Sequence, residues 1–140
     1  MAVLHPREED AAAMEVKRVE ELPDEAVTLE TEGAAGSTVY MLGSRTGSKE
    51  SLRGLAAVVG WNATADEAAA PLRHAALIEG SELAQGGLRL SASRAVSLTL
   101  RAISPKQFIL KLQGATHPAT IEAELPWTGT KPKQVSVWRG

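Results

Sequence analysis

The feature of this sequence that most constrains its fold is the alternation of apolar and polar residues through residues 86–112. Leu88 and Leu90 are separated by one polar residue, and this spacing of two recurs downstream. The later sets are Val96, Leu98 and Leu100, followed by Phe108, Leu110 and Leu112. In a β-strand, side chains two residues apart lie on one face of the pleat. The pattern therefore predicts strands that each have one apolar face.

Short polar segments separate these predicted strands. Residues 91–94 read Ser-Ala-Ser-Arg and residues 103–106 read Ile-Ser-Pro-Lys, and both are typical of turns. Strands joined by such short connections form an antiparallel meander. We therefore expect Leu98, Leu100 and Leu110 to lie on the core side of neighbouring strands.

The remainder of the chain repeats this pattern in short segments bounded by turn residues. Further strands are predicted at residues 26–31, 37–42, 52–61, 72–78, 119–125 and 134–138. In these strands, we expect the side chains of Val27, Leu29 and Ile121 to face the protein core. Strands this short and evenly spaced predict an all-β fold, specifically an antiparallel β-sandwich of jelly-roll-like form, with residues 1–140 as a single domain.

Two segments leave room for one short helix. Residues 7–22 are rich in helix-forming residues, and Val16, Val19 and Leu22 fall at helical spacing. Met14 and Val16 also alternate as they would in a strand, so both alternatives stay open. Residues 65–70 fit a helical turn that ends at the following proline.

Composition excludes several classes of function. The formal net charge of the 140 residues is −2, and no basic stripe runs along the chain, so we expect no nucleic-acid partner. Cysteine is absent, which excludes disulfides and thiolate metal sites. No signal-peptide pattern and no membrane-length apolar run is visible, so no membrane association is expected. The location stays open between the cytoplasm and secretion within a larger protein.

Residues with catalytic chemistry are scattered along the sequence. His5, His74 and His117 share no metal-ligand spacing, and no nucleophile or phosphate-binding motif occurs. Glu122 and Glu124 fall on the polar face of their predicted strand, so we expect them to be solvated rather than paired for glycoside hydrolysis. The sequence therefore predicts no metal, no cofactor and no catalytic residue.

The tryptophans are the candidates for ligand binding, because an indole ring can stack on the apolar face of a sugar ring. Trp61 and Trp138 lie in predicted strands, where a core position is the alternative. Trp127 lies in the segment Pro-Trp-Thr-Gly-Thr-Lys-Pro-Lys at residues 126–133, which is typical of a loop. Trp127 is therefore the tryptophan that we expect to be exposed.

Three longer segments carry a resemblance to a known family. Residues 3–19 read VLHPREEDAAAMEVKRV, residues 75–100 read AALIEGSELAQGGLRLSASRAVSLTL, and residues 131–140 read KPKQVSVWRG. In spacing and apolar pattern they resemble the C-terminal β-domains of heparinase II/III-type polysaccharide lyases. Those enzymes combine an α-toroid with β-sandwich domains and cleave uronic-acid polysaccharides by β-elimination. This chain has no counterpart of the toroid, and Tyr40 lacks the surrounding motif, so no catalytic residue carries over.

The resemblance implies a non-catalytic, carbohydrate-associated module that binds acidic polysaccharide and works with an upstream catalytic domain or another copy of itself. The predicted ligand-binding residues are Trp127, Thr128, Lys131 and Lys133. Trp127 offers a stacking face, Thr128 a hydroxyl, and the two lysines attract an anionic chain. The alternative is a purely structural domain that completes a larger enzyme or assembly. A third possibility is an enzyme that uses an unrecognised acid pair, but the sequence positions none.

Overall fold

The computed structural model describes residues 14–63, 71–104, 107–114 and 118–126. The described residues form eight β-strands and one 3₁₀ turn at Pro23–Glu25. The strands are β1 (Glu15–Glu21), β2 (Val27–Gly33), β3 (Gly36–Leu42), β4 (Glu50–Asn62), β5 (Leu72–Gln85), β6 (Leu88–Ser104), β7 (Gln107–Gln113) and β8 (Ile121–Glu124). None of the described residues belongs to a helix with the length and apolar character needed to cross a membrane.

The described strands belong to one antiparallel sheet in which neighbours follow the order of the chain from β1 to β7. β7 pairs with residues 97–104 of β6, and β8 pairs with residues 89–92 of β6. These two short strands therefore lie end to end along one side of β6. The predicted all-β class is confirmed. The observed meander differs from the predicted jelly-roll-like order, and a sandwich of two separate sheets stays a prediction.

A close backbone contact between β4 and β5 and irregular pairing between β5 and β6 mark a bend in these long strands. Gly54 is the cross-strand partner of Gly80, which is paired in turn with Val96. The register shifts on both sides of Gly80, and Glu79 has a φ of 44°. A Cβ on Gly54 would lie 2.6 Å from the Cα of Gly80, so only glycine allows this approach. Irregular pairing of this kind bends a strand.

The bend folds the sheet back over itself. A straight strand of the length of β5 would separate Leu72 from Gln85 by about 44 Å. Trp61 pairs with Leu72, yet its indole Nε1 donates a hydrogen bond to Oε1 of Gln85 at the opposite end of β5. The part built from β1, β2, β3, β7 and residues 56–62, 72–78 and 96–104 is called the seven-stranded part. The part built from β8 and residues 50–53, 82–85 and 88–92 is called the four-stranded part.

The hydrophobic core contains side chains from both parts of the sheet in one cluster. The four-stranded part contributes Leu52, Leu83, Leu88 and Leu90. The seven-stranded part contributes Val39, Met41, Ala57, Val59, Leu72, Ala75, Leu77, Val96, Leu98 and Leu100. Full burial of one Leu or Val side chain contributes about 1.5–3 kcal/mol. This shared burial stabilises the folded-back arrangement.

The structure corrects one predicted turn and decides one segment that the sequence left open between helix and strand. Residues 91–94 are not a hairpin turn, because β6 continues through them and changes its partner there from β8 to β7. The register of β6 with β5 jumps between Ser91 and Val96, which interrupts the alternation without ending the strand. Residues 15–21, which also fitted a helix, form β1, because pairing with β2 outweighs local helix propensity. Residues 65–70 lie outside the described residues.

The side of the sheet occupied by several residues also differs from expectation. In β2, Thr28 and Thr31 are buried, whereas Val27 and Leu29 are half-buried. The expectation for Val27 and Leu29 was wrong, because apolar residues line both faces of this sheet and alternation alone does not choose between them. Leu98 and Leu100 are buried as predicted. Leu110 shares their face through its pairing with Leu100 but remains 37% exposed, since β7 lies at the edge of the sheet.

Candidate functional site

The predicted ligand-binding loop lies outside the described residues. Trp127, Thr128, Lys131 and Lys133 all follow Pro126, the last residue that the structure describes. Pro126 is near Gly87, because a Cβ on that glycine would lie 3.5 Å from the Cβ of Pro126. The chain therefore leaves the described region beside the turn between β5 and β6. His5, His117 and Trp138 also lie outside the described residues, and their predicted roles stay predictions.

Trp61 is held inside the fold rather than offered to a ligand. It is half-buried and packs against the core cluster. Its Nε1 hydrogen bond to Gln85 uses the single donor of the indole. The ring also covers Gly86, where φ is 57° and a Cβ would lie 2.6 Å from Cζ2. Trp61 therefore joins β4 to the far end of β5. This agrees with the alternative prediction that Trp61 packs in the core.

His74 belongs to a packed group on the same sheet. Its ring lies over Gly60, whose missing side chain leaves the space that the imidazole occupies. Burial, together with the nearby positive charge of Arg73, lowers the pKa of His74 below its usual value. Arg73 donates from Nη2 to Oγ1 of Thr38 at 3.1 Å and from Nη1 to the carbonyl of Ala35 at 3.3 Å. His74 is thus a packing residue, and the described residues contain no group of acids and histidines suited to a metal ion.

The acidic residues around Ser91 in the four-stranded part are exposed. Glu122 and Glu124 are exposed, as predicted. They line a shallow depression of about 530 Å³ together with Glu82 and Ser91. Ser91 pairs with Glu82 on one side and Glu122 on the other, so two strand spacings of about 4.8 Å separate these acids along the sheet. β6 therefore lies between Glu82 and Glu122, and both of these side chains are exposed.

Arg18 lies among three carboxylates at the opposite edge of the sheet. Its Nη2 is 2.5 Å from Oε1 of Glu50, its Nε is 3.3 Å from Glu30, and its Nη1 is 3.4 Å from Glu20. The hydrogen bond to Glu50 raises the pKa of Arg18, although burial acts in the opposite direction. β1 and β4 are three strands apart along the sheet, so the contact with Glu50 depends on the folded-back start of β4. These ion pairs connect β1 to the start of β4, which is a structural role.

Arg45 attaches the connection between β3 and β4 to the body of the sheet. Its guanidinium donates to Oγ1 of Thr28 and to the carbonyls of Val27 at 2.9 Å and Leu42 at 2.6 Å. Its backbone bridges to Leu52 in β4. Burial lowers the pKa of Arg45 from its usual value. The guanidinium nitrogens donate to these acceptors within the fold, so Arg45 also has a structural role.

The face of the seven-stranded part that points away from the core is apolar at its centre. The register places Leu42, Ala56 and Ile78 side by side, and these residues alternate with buried neighbours on their strands. Leu42 is 52% exposed and Ile78 is 41% exposed. A second row lies beside the first. The nine residues of the two rows, called the outer apolar face, are Val19, Val27, Leu29, Tyr40, Leu42, Ala56, Val58, Ala76 and Ile78.

This face departs from the usual design of an antiparallel sheet with one solvated side. Such strands alternate between apolar residues facing the core and polar residues facing water. Here residues 39–42, 56–59 and 75–78 read VYML, AAVV and AALI, so apolar side chains point to both sides. Continuous apolar runs of this kind are typical of strands covered on both faces. These runs are the sequence signal for this surface, whereas strict alternation predicts only one apolar face for each strand.

Comparison with known proteins adds no functional assignment. No family model, curated protein or solved structure matches the chain. The resemblance to heparinase II/III-type lyases stays a prediction. The outer apolar face is the candidate functional site, because the tryptophan, histidine and arginine groups described above have structural roles.

Proposed function

We propose that this chain is a non-catalytic structural domain that completes a larger protein assembly by docking through its outer apolar face. The observation that carries the proposal is the pair of apolar rows on β1 to β5, on the side of the sheet opposite the core. Removing apolar surface from water is favourable by about 25 cal/mol per Å². A partner that covers these rows would give β3, β4 and β5 the two-sided burial for which their apolar runs are suited.

The charges around the face define the partner further. On this face β6 and β7 carry Arg101, which pairs with His74, and Lys111, which pairs with Thr99. β1, at the other end of the rows, carries Glu21, which pairs with Val27. The matching surface is therefore a protein with an apolar centre, acidic groups facing Arg101 and Lys111, and a basic group facing Glu21. Complementary charges of this kind orient partners and exclude incorrect ones.

Site-specific photo-crosslinking in the cells that make this protein tests the proposal. A photoreactive residue at Leu42 or Ile78 should form a discrete adduct with one partner protein. The same residue at Glu122, which is exposed on the four-stranded part, provides the matched control and should not form that adduct. Introducing Ile78→Lys alongside the probe at Leu42 should remove the adduct, because the lysine charge would be desolvated at the contact. Equal labelling at Leu42 and Glu122 would contradict docking through this face.

We propose as a second candidate the carbohydrate-associated module, which rests on the segment around Trp127. The specific observation is that Pro126, the residue before Trp127, lies near Gly87 in the turn between β5 and β6. The two lysines favour anionic polysaccharide, and binding should weaken as salt is added. With so few charges, we expect a dissociation constant on the order of micromolar to millimolar.

Affinity electrophoresis against alginate, a glycosaminoglycan, xylan and cellulose tests this second candidate. Retardation in an acidic polysaccharide that Trp127→Ala abolishes would support it. Absence of retardation in all four would leave the structural domain as the sole proposal. An absorbance assay for unsaturated products should stay at background in the same samples. Release of such products by the chain would contradict the non-catalytic part of both proposals.

A further inference from the structure

One edge of the sheet is apolar and open in the part of the chain that the structure describes. β7 forms this edge, and no described strand pairs with its outer side. It reads Q-F-I-L-K-L-Q, so Lys111 is its single charged residue. Ile109 is 45% exposed, and Leu110 and Leu112 are each 37% exposed. An exposed apolar edge of this kind is a template for a further strand.

The opposite edge, formed by β1, is protected against such pairing. Five of its seven residues are charged, as E-V-K-R-V-E-E shows. If β1 paired antiparallel with its own copy about its middle residue, Glu15 would face Glu21 and Arg18 would face itself. Like charges directly opposite each other destabilise a strand pair. The charges of β1 therefore disfavour pairing of that edge with a further strand, whereas β7 lacks this protection.

We propose that β7 pairs antiparallel with β7 of a second copy of this chain, about a two-fold axis at Leu110. This register places Ile109 opposite the partner's Lys111, and Gln107 opposite the partner's Gln113. The two lysines are therefore not directly opposed, and two amide side chains can hydrogen-bond to each other. The backbone N–H and C=O groups of β7 that point away from β6 belong either to its odd-numbered or to its even-numbered residues. An axis at Leu110 pairs odd residues with odd and even residues with even, so these groups face each other in either case.

The same register extends the apolar core face of the sheet into the partner. Leu110 pairs with Leu100 and Leu112 pairs with Leu98, and both of these β6 residues are buried. Leu110 and Leu112 thus share the core side of the sheet but lie beyond the residues that cover it. Across the axis, Leu110 would pack against the partner's Leu110, which removes exposed apolar surface from both copies.

β1 of a second copy fits this edge less well, because it would bring charged side chains, Arg18 and Glu20 among them, against the leucines of β7. Pairing of residues 127–140 of the same chain with this edge is distinguished from the dimer by deleting that segment.

Pairing of one seven-residue strand buries less surface than a standard stable interface of about 1,600 Å². The dimer should therefore be reversible, with a dissociation constant on the order of ten to several hundred micromolar. Sedimentation equilibrium of the full chain from about 10 µM to 1 mM brackets this range. The apparent mass should rise from monomer toward dimer and no further, because a two-fold interface is closed.

The variant Leu110→Lys should weaken the dimer at least about tenfold, because two lysines would then oppose each other at the axis. Val19→Lys places the same change on an exposed residue of β1 and should leave the dimer unchanged. Ile78→Lys, on the outer apolar face, should also leave it unchanged, which separates this inference from the proposed function. Unfolding curves of each variant show whether it remains folded.

Cysteine crosslinking tests the register directly, because the natural chain has no cysteine. Leu110→Cys should form a disulfide-linked dimer under mild oxidation, since directly opposed residues have Cα atoms about 4.5–5.5 Å apart. Ile109→Cys and Lys111→Cys should each crosslink poorly alone but efficiently when mixed, because these positions face each other. This pattern would be absent if β7 pairs with anything other than its own copy in this register.

Three results would overturn the inference. The first is a monomer at all concentrations with no preference among the cysteine variants. The second is loss of the dimer in Val19→Lys but not in Leu110→Lys or Ile78→Lys, which would assign the interface to the β1 edge. The third is a monomer that dimerises only after residues 127–140 are deleted, which would assign the edge of β7 to the chain's own C-terminal segment.

Discussion

At the scale of single residues, Thr31 has a fully buried hydroxyl with no hydrogen-bond partner among the described residues. Thr31→Val keeps the shape and removes this unpaired group, so it should stabilise the protein by about 1 kcal/mol. Thr28 provides the matched control, because it is equally buried but its Oγ1 accepts a hydrogen bond from Arg45. Thr28→Val should destabilise by about 1.5–3 kcal/mol. Urea unfolding measures both, and equal losses of stability in the two variants would contradict this account.

The environment of His74 predicts a dependence of stability on pH. Its pKa is lowered from 6.5, mainly by burial and then by the charge of Arg73. Below about pH 6.5 the unfolded chain therefore takes up this proton more readily than the folded one, and stability falls. Above that pH the imidazole is neutral in both states and contributes no slope. The loss continues as the pH falls through the lowered pKa of the folded protein.

His74→Gln removes this titration while keeping a polar side chain of similar size. Urea unfolding midpoints from about pH 8 to pH 5 should fall less steeply for His74→Gln than for the natural chain. His5 and His117 are present in both proteins, so their contribution is common to the comparison. Identical pH profiles for the two proteins would show that His74 does not titrate differently on folding.

At the scale of elements, the bend in β4 and β5 depends on the close approach of Gly54 and Gly80. A Cβ at Gly54 would meet the backbone of Gly80 at 2.6 Å, so Gly54→Ala should destabilise by about 1–3 kcal/mol. Gly87 provides the control, since the nearest atom to its Cβ position is 3.5 Å away. Gly87→Ala should leave stability unchanged or raise it by up to about 1 kcal/mol by restricting the unfolded chain. Equal thermal midpoints for the two variants would contradict a bend that requires glycine.

At the scale of the whole molecule, the folded-back sheet covers the middle of its inner face and leaves the edge open. Leu100 and Leu110 are neighbours on that face, yet their exposed fractions are 2% and 37%. Leu100→Ala should therefore cost about 2–5 kcal/mol, a large share of a total stability of about 5–15 kcal/mol. Leu110→Ala should cost much less in dilute solution, where the proposed dimer is dissociated. Equal losses in urea unfolding would mean that Leu110 is covered.

The sequence by itself determined the all-β class and the approximate positions of most strands. Alternation with a period of two is a property of neighbouring residues, so it can be read without knowing what lies across the sheet. The same is true of the turn at Gly86, whose φ of 57° favours glycine. The apolar runs of β3, β4 and β5 were also visible in the sequence and carried the signal for the outer apolar face.

Only the tertiary structure decided which faces are covered, where the strands bend and which edge is left open. Val27 and Leu29 alternate like core residues, but the face that they share lies opposite the core, and Thr28, which pairs with Met41 on the core face, is buried instead. Residues 91–94 have the composition of a turn, yet they lie within β6, where Ser91 pairs with both β5 and β8. Burial and pairing depend on residues far apart in the chain, such as Trp61 and Gln85, whereas local periodicity records only which residues share a face.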